Sequence, residues 1–272
     1  MSILSGCGLA SPRSGEIVTQ GVAKAPFEVR ANGTDVIHVT VYFPALDDGT
    51  PQPGPRPGVV FIQGGFVATT RYAWQAIALA QAGYVVAVPE NALELAFFTV
   101  DAGETARALL AAPPRGSLLE GLVDEGRIAV AGHSLGSVVA LKLALQGHFA
   151  VVAVEAGFAD TADLPALARF NRPSLSLAGS LDCKAKRADV RHGWDAFPSP
   201  TVFTVLEGVT HYQFTDSEAE DLQAKCVPGR ELADAHEQIR TALLGFLDAA
   251  MNDASLGEAA LRAIPGATVE VK

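Results

Sequence analysis

From Pro57 onward the chain alternates short apolar runs with longer helical stretches. The apolar runs are 59–62, 84–88, 128–131, 150–154, 174–178 and 202–206, and most of their positions hold Val, Ala, Leu, Ile or Phe. Strands that read apolar at consecutive positions belong to parallel sheets covered on both faces. Between them, 71–82, 101–112, 135–146 and 231–251 predict helices. Asp101 with Glu104 three residues on is a capping-box pattern at the start of the second helix, and Pro113-Pro114 stops it. Strict strand–helix alternation implies right-handed crossovers, hence an α/β fold with a central, mostly parallel sheet.

Ahead of Pro57 the pattern changes. Segments 16–23 and 36–43 predict antiparallel strands, with Asn32-Gly33 as a turn signal between them. Asn32-Gly33-Thr34 also fits a glycosylation acceptor, although the turn role explains it. Segment 44–57 holds five prolines with Asp47, Asp48 and Gly49, and predicts an exposed loop. With the six later strands this makes a sheet of about eight. Residues 1–15 are small, polar and Gly/Ser-rich, so they predict a flexible segment ahead of a single domain over 16–272. After Asn252 come a short helical stretch and a β-like segment, 267–271, that the pattern does not place.

Composition bounds the reading. With 272 residues and 49% hydrophobic content, the chain can bury one sizeable core. A formal net charge of −10 argues against a nucleic-acid partner, which needs clustered Lys and Arg, and against adsorption to anionic membranes. No apolar run reaches the ~18 residues of a spanning helix. No cofactor is expected, because the Gly-rich loop lacks both G-x-G-x-x-G and the phosphate-loop lysine.

Candidate chemistry sits between the strand 128–131 and the helix 135–146. Gly132-His133-Ser134-Leu135-Gly136 is a G-x-S-x-G pattern on a strand-to-helix turn. Such a turn lifts the serine Oγ clear of the sheet and aims the first N–H groups of the helix at a developing oxyanion. A serine hydroxyl is a weak nucleophile alone and needs a base with an orienting acid. In sheet enzymes with this turn the order is Ser, then Asp or Glu, then His. Asp182 follows the strand 174–178 and His211 follows the strand 202–206, so both share the carboxyl edge with Ser134, where ligands bind in open α/β sheets. Glu155, at the end of 150–154, is a rival acid, and Asp160 and Asp163 are further alternatives. His133 lies inside the turn, His38 in an early strand and His148 at the wrong edge. His192 and His236 have no strand ahead of them. The second oxyanion donor should come from Gln63-Gly64-Gly65-Phe66 after the strand 59–62. Gly65 N–H and Leu135 N–H are the expected pair.

Together these residues resemble the α/β-hydrolase superfamily, and within it the lidless chlorophyllase, dienelactone-hydrolase and polyester-hydrolase (cutinase-like) group. The likeness spans about residues 57–250. It rests on the oxyanion loop from Gly64 to Tyr72 with the helix and strand after it, on Gly132–Gly136, and on Thr210-His-Tyr-Gln-Phe-Thr-Asp216. The resemblance implies Ser134 as nucleophile, Asp182 as acid, His211 as base, and Gly65 with Leu135 as oxyanion donors. Gln63-Gly64 stands where many relatives carry His-Gly or Pro-Gly. Lids in this fold are commonly inserted between the strands 150–154 and 174–178. Only about twenty residues intervene here, which implies no large lid and an open cleft. Phe66, Val67, Phe158, Tyr212 and Phe214 neighbour the proposed loops and are expected to offer an apolar wall, the alternative for each being core or ordinary surface. The acidic stretch 216–221 lacks calcium-loop spacing and reads as a solvated face.

Of the three cysteines, Cys183 directly follows the proposed acid and Cys226 lies past the proposed base. A disulfide between them would tie the two loops together and imply an oxidising compartment, and two free thiols are the alternative. Leu4-Ser5-Gly6-Cys7 resembles the bacterial lipoprotein processing box without the charged and apolar regions that precede one. Cys7 is therefore a candidate lipid anchor. The expected location is secreted, periplasmic or lipid-anchored at the surface, with the cytoplasm as alternative. The expected activity is serine hydrolysis of short- to medium-chain, aromatic or polymeric carboxylic esters. A thioesterase, small-substrate peptidase or acyltransferase using the same triad, or a silent surface binding module, are the alternatives.

Overall fold

The apolar runs become the middle of one sheet. A computed structural model describes residues 14–31, 35–90, 100–216, 225–253 and 255–272. Cys7, the Asn32-Gly33-Thr34 turn and most of the acidic stretch after Asp216 lie outside these residues. Ten strands pair in the order β1-β2-β3-β5-β4-β6-β7-β8-β9-β10. They are β1 (Glu16–Thr19), β2 (Val22–Ala31), β3 (Asp35–Pro44), β4 (Arg56–Ile62), β5 (Val85–Pro89), β6 (Val123–His133), β7 (Val151–Glu155), β8 (Ser174–Gly179), β9 (Thr201–Leu206) and β10 (Ala267–Val271). Strands β5-β4-β6-β7-β8-β9 run parallel, while β1, β2 and β3 at one end and β10 at the other pair antiparallel.

Uniform apolarity in the parallel strands follows from their two covered faces. Every residue of β5, β7, β8 and β9 is buried. Side chains alternate between two cores. Val59 and Phe61 of β4 pack with α1 (Ala73–Gln81) and α6 (Leu232–Asp248), through Leu79, Ile239 and Phe246 among others. Val60 and Ile62 point the other way, to α2 (Val100–Ala111) and α3 (Leu135–Leu145), through Leu110, Val139 and Leu143. Helices α4 (Leu164–Leu167), α5 (Arg187–Ala196) and α7 (Glu258–Arg262) complete the described α-helices. After β4 the chain places β5 on one side and then β6 on the other, so the loops leaving β4 and β6 diverge at a topological switch point.

Four expectations are corrected. Segment 16–23 is not one strand: it breaks at Gln20-Gly21, where Gly21 has φ 76, and β2 then runs on to Ala31. Its alternation is clean, with Ala23, Ala25 and Phe27 buried, but Pro26 interrupts the run of strand formers. The unplaced tail segment becomes β10, an antiparallel partner of β9. These two changes turn eight expected strands into ten. Helix α2 starts at Val100, so Asp101 sits inside its first turn rather than capping it. Helix α6 ends at Asp248 and passes into a π-helical turn, Ala249–Asp253.

Cys183 and Cys226 form a disulfide across a sequence separation of 43. In the chain-entropy view a loop of that size contributes about 4 kcal/mol. Replacing both cysteines by serine should lower the unfolding free energy by roughly 2–5 kcal/mol, read by denaturant titration. In the unfolded, unreduced parent neither should react with a thiol reagent until reductant is added.

Candidate active site

Ser134 occupies the turn between β6 and α3 with φ 56 and ψ −121. A side chain in this left-handed region is strained and persists only where its surroundings fix it. The fixing groups are close. Ser134 N–H donates to the Glu155 carbonyl at 2.9 Å, and Ser137 Oγ donates to the Gly132 carbonyl at 2.6 Å and reaches the Glu155 carbonyl at 3.1 Å. A Cβ on Gly132 would run into the Gly136 carbonyl, and one on Gly136 into the carbonyls of Ile62 and Gln63. The turn is thus wedged against the end of β4, and no larger residue fits at either glycine.

Strands β8 and β9 deliver the partners. His211 Nε2 lies 3.0 Å from Ser134 Oγ, and its Nδ1 lies 2.9 Å from Asp182 Oδ2. The other Asp182 oxygen accepts the N–H groups of Lys184 and Ala185 at 2.8 and 2.7 Å, which fixes the carboxylate plane. A carboxylate only accepts, so His211 carries its proton on Nδ1 and presents the Nε2 lone pair to the serine hydroxyl. The Asp182 and His211 side chains are 0% and 4% exposed, whereas Ser134 is half-buried at the sheet edge. Three loops thus bring hydroxyl, imidazole and carboxylate into one hydrogen-bonded line.

Rival residues lie elsewhere. Glu155 is buried and takes the Gln75 amide at 2.9 Å instead of an imidazole. Asp160 and Asp163 both hold Lys142. His38 faces Glu28, His148 faces Glu104, and His236 stacks on Trp74 with ring centroids 3.6 Å apart. His192 is exposed on α5. His133 is fully buried beneath the turn.

Gly65 packs directly on Leu135: a Cβ there would collide with the Leu135 side chain. Leu135 opens α3, so its N–H has no partner one turn back. Of the expected apolar wall, Phe66 is 72% exposed, Phe158 is 40% exposed and Tyr212 is half-buried. Val67 and Phe214 are corrections. Both are buried in the core with α1 and α6, and Phe214 stacks on His133. Apolar character near a catalytic loop does not distinguish a wall from a foundation.

Sequence reasoning missed a buried polar layer under the site. Gln75 Nε2 donates both to Glu155 and to the Phe214 carbonyl at 3.0 Å. Gln213 accepts Thr210 N–H at 3.0 Å and donates to the Arg230 carbonyl at 2.8 Å, which fastens the His211 loop at two points. The available signal was polar residues, Gln75 and Gln213, inside otherwise apolar faces.

Ser134 thus stands on a strand-to-helix turn at the carboxyl edge of an α/β sheet, in hydrogen-bonded line with His211 and Asp182. A family model described as the alpha/beta hydrolase family matches residues 58–221, and the chain belongs to that family. No curated protein matches it. Membership supports a hydrolase, and the match covers β4 through the loop that carries His211.

Burial pushes the Glu155 carboxyl up from 4.5 to about 8, against a smaller lowering by the Gln75 amide. The folded state therefore holds this proton more tightly than the unfolded chain. Its stabilising contribution is whole below about pH 4.5 and is lost as pH rises through about 8. Glu155→Gln should flatten the alkaline decline of unfolding free energy, its curve parting from the parent's between about pH 5 and 8 and lying above it beyond. Chemical denaturation across that range reads the effect. Asp182→Asn should lose most activity at every pH with no rescue from Glu155, whose carboxyl is bonded to the Gln75 amide.

Proposed function

We propose that the chain is a serine hydrolase of carboxylic esters. The observation that carries this reading is the line Ser134 Oγ, His211 Nε2, His211 Nδ1, Asp182 Oδ2, with spacings of 3.0 and 2.9 Å. Ser134 Oγ attacks the ester carbonyl as His211 Nε2 takes its proton. Asp182 holds the tautomer and stabilises the imidazolium. Gly65 N–H and Leu135 N–H receive the oxyanion. His211 then protonates the leaving alcohol, and a water, deprotonated by the same nitrogen, releases the acid and restores the serine.

Substrate class follows from the rim. Phe66 and Phe158 are exposed on the loops leaving β4 and β7, and between β7 and β8 the only described helix is the four-residue α4. An open, aromatic-edged site supports short- to medium-chain or aromatic acyl groups, polymeric esters included. The Cys183–Cys226 bond supports an oxidising location outside the cytoplasm. No described helix is long and apolar enough to cross a membrane.

The parent should hydrolyse p-nitrophenyl esters and react with a fluorophosphonate, and Ser134→Ala should lower kcat by several orders of magnitude while abolishing labelling. Turnover of thioesters or amides but not oxygen esters would reassign the leaving group from an alcohol to a thiol or an amine. An unlabelled parent with unchanged hydrolysis in Ser134→Ala would end the reading.

A further inference from the structure

We propose that Tyr72 and His133 form a buried positioning pair that holds the oxyanion loop, the serine turn and the His211 loop in one reactive arrangement. The inference rests on the ester-hydrolase reading above and adds two residues to it. Three hydrogen bonds carry it. Gly64 N–H donates to Tyr72 Oη at 2.9 Å. Tyr72 Oη lies 2.8 Å from His133 Nδ1. His133 Nε2 lies 3.1 Å from the His211 carbonyl oxygen.

Their directions are fixed by chemistry. A carbonyl only accepts, so His133 Nε2 bears the proton and Nδ1 keeps its lone pair. Tyr72 O–H must then donate to Nδ1, and its oxygen accepts Gly64 N–H. One assignment satisfies every group in the line. Burial foremost, and His211 next, hold the His133 pKa well below its ordinary value, so the Nδ1 acceptor persists at neutral pH. His133 also lies close to His211, with ring centroids 4.7 Å apart, and stacks on Phe214.

Each end of this line touches the proposed machinery without joining it. Gly64 precedes the donor Gly65, His133 precedes the nucleophile, and the accepting carbonyl belongs to the base itself. Tyr72 and His133 are both 0% exposed, so neither meets substrate. They act by geometry: holding one loop relative to the next sets the distance between the oxyanion donors and the attacking oxygen. Displacement of about 1 Å in such a site lowers turnover on the order of a hundredfold.

Tyr72→Phe removes only the hydroxyl. In that variant kcat should fall about ten- to a hundredfold with KM within about twofold, and the pH at which the rate profile bends should not move. His133→Phe should fall as far. The double variant should fall no further than the worse single one, because both cut the same line. His133→Gln keeps an N–H donor for the His211 carbonyl and should recover part of the rate. Undiminished kcat in folded Tyr72→Phe, a change in KM alone, or losses that multiply would overturn the pair. A second measurement needs neither turnover nor a variant. The imidazole ¹⁵N spectrum of the parent should show His133 neutral with its proton on Nε2 from about pH 5 to 8, and the opposite tautomer or protonation in that range would also overturn it. If the parent hydrolyses no ester, the ester reading fails by itself, and fluorophosphonate labelling rates of the same variants still decide whether the pair positions the serine.

Discussion

The left-handed backbone at Ser134 is the constraint on which the site depends. A serine at φ 56 has no intrinsic reason to stay there. It stays because its N–H is bound to the Glu155 carbonyl and because the carbonyls of Ile62 and Gln63 lie so near Gly136 that no side chain fits there. The place of the Ser134 hydroxyl is therefore a product of sheet packing: the strand pairing of β4 with β6, continuous from Gly58–Ile128 to Ile62–Gly132, sets where the oxygen stands.

Under that turn the protein replaces apolar packing with a polar layer. Tyr72, Gln75, His133, Glu155 and Gln213 are all buried, in a region otherwise built of Val, Ala, Leu and Phe. Burying such groups costs free energy unless each finds a partner, and well-packed apolar residues would fill the same space more cheaply. Directional bonds do what apolar contacts cannot. They fix relative rotation and register between loops that leave different strands. The layer lies between the oxyanion loop, the serine turn and the His211 loop, where an ångström matters to chemistry, and the opposite core over α2 and α3 is an apolar cluster.

Much of this was legible in the residues. Six parallel strands follow from six apolar runs, since two covered faces leave no other pattern. Ser134, Asp182 and His211 follow from order and strand context, because the carboxyl edge is the one place where three loops of a parallel sheet converge. The antiparallel margin was harder. A turn at Gln20-Gly21 lacks a strong sequence mark, and β2 carries a proline and three charged residues on its outer face. Burial of Val67 and Phe214 was not legible, because a loop has no period from which to read a face. The tyrosine that reaches His133 from the end of a 3₁₀ turn, Thr69–Tyr72, is brought there by tertiary packing alone.

The disulfide completes the same logic on the other side. The serine is held by the strands on either side of it, but Asp182 and His211 stand on loops past β8 and β9, nearer the sheet margin. The two Asp182 oxygens, the N–H groups of Lys184 and Ala185 and the His211 imidazole must agree there. Bonding Cys183 to Cys226 fastens the residue beside the acid to the chain that follows the base, and Gln213 binds that same chain again at Arg230. The His211 loop is thus anchored by the polar layer at Thr210 and Arg230, and the chain beyond it is tied by the covalent bridge to the residue next to Asp182.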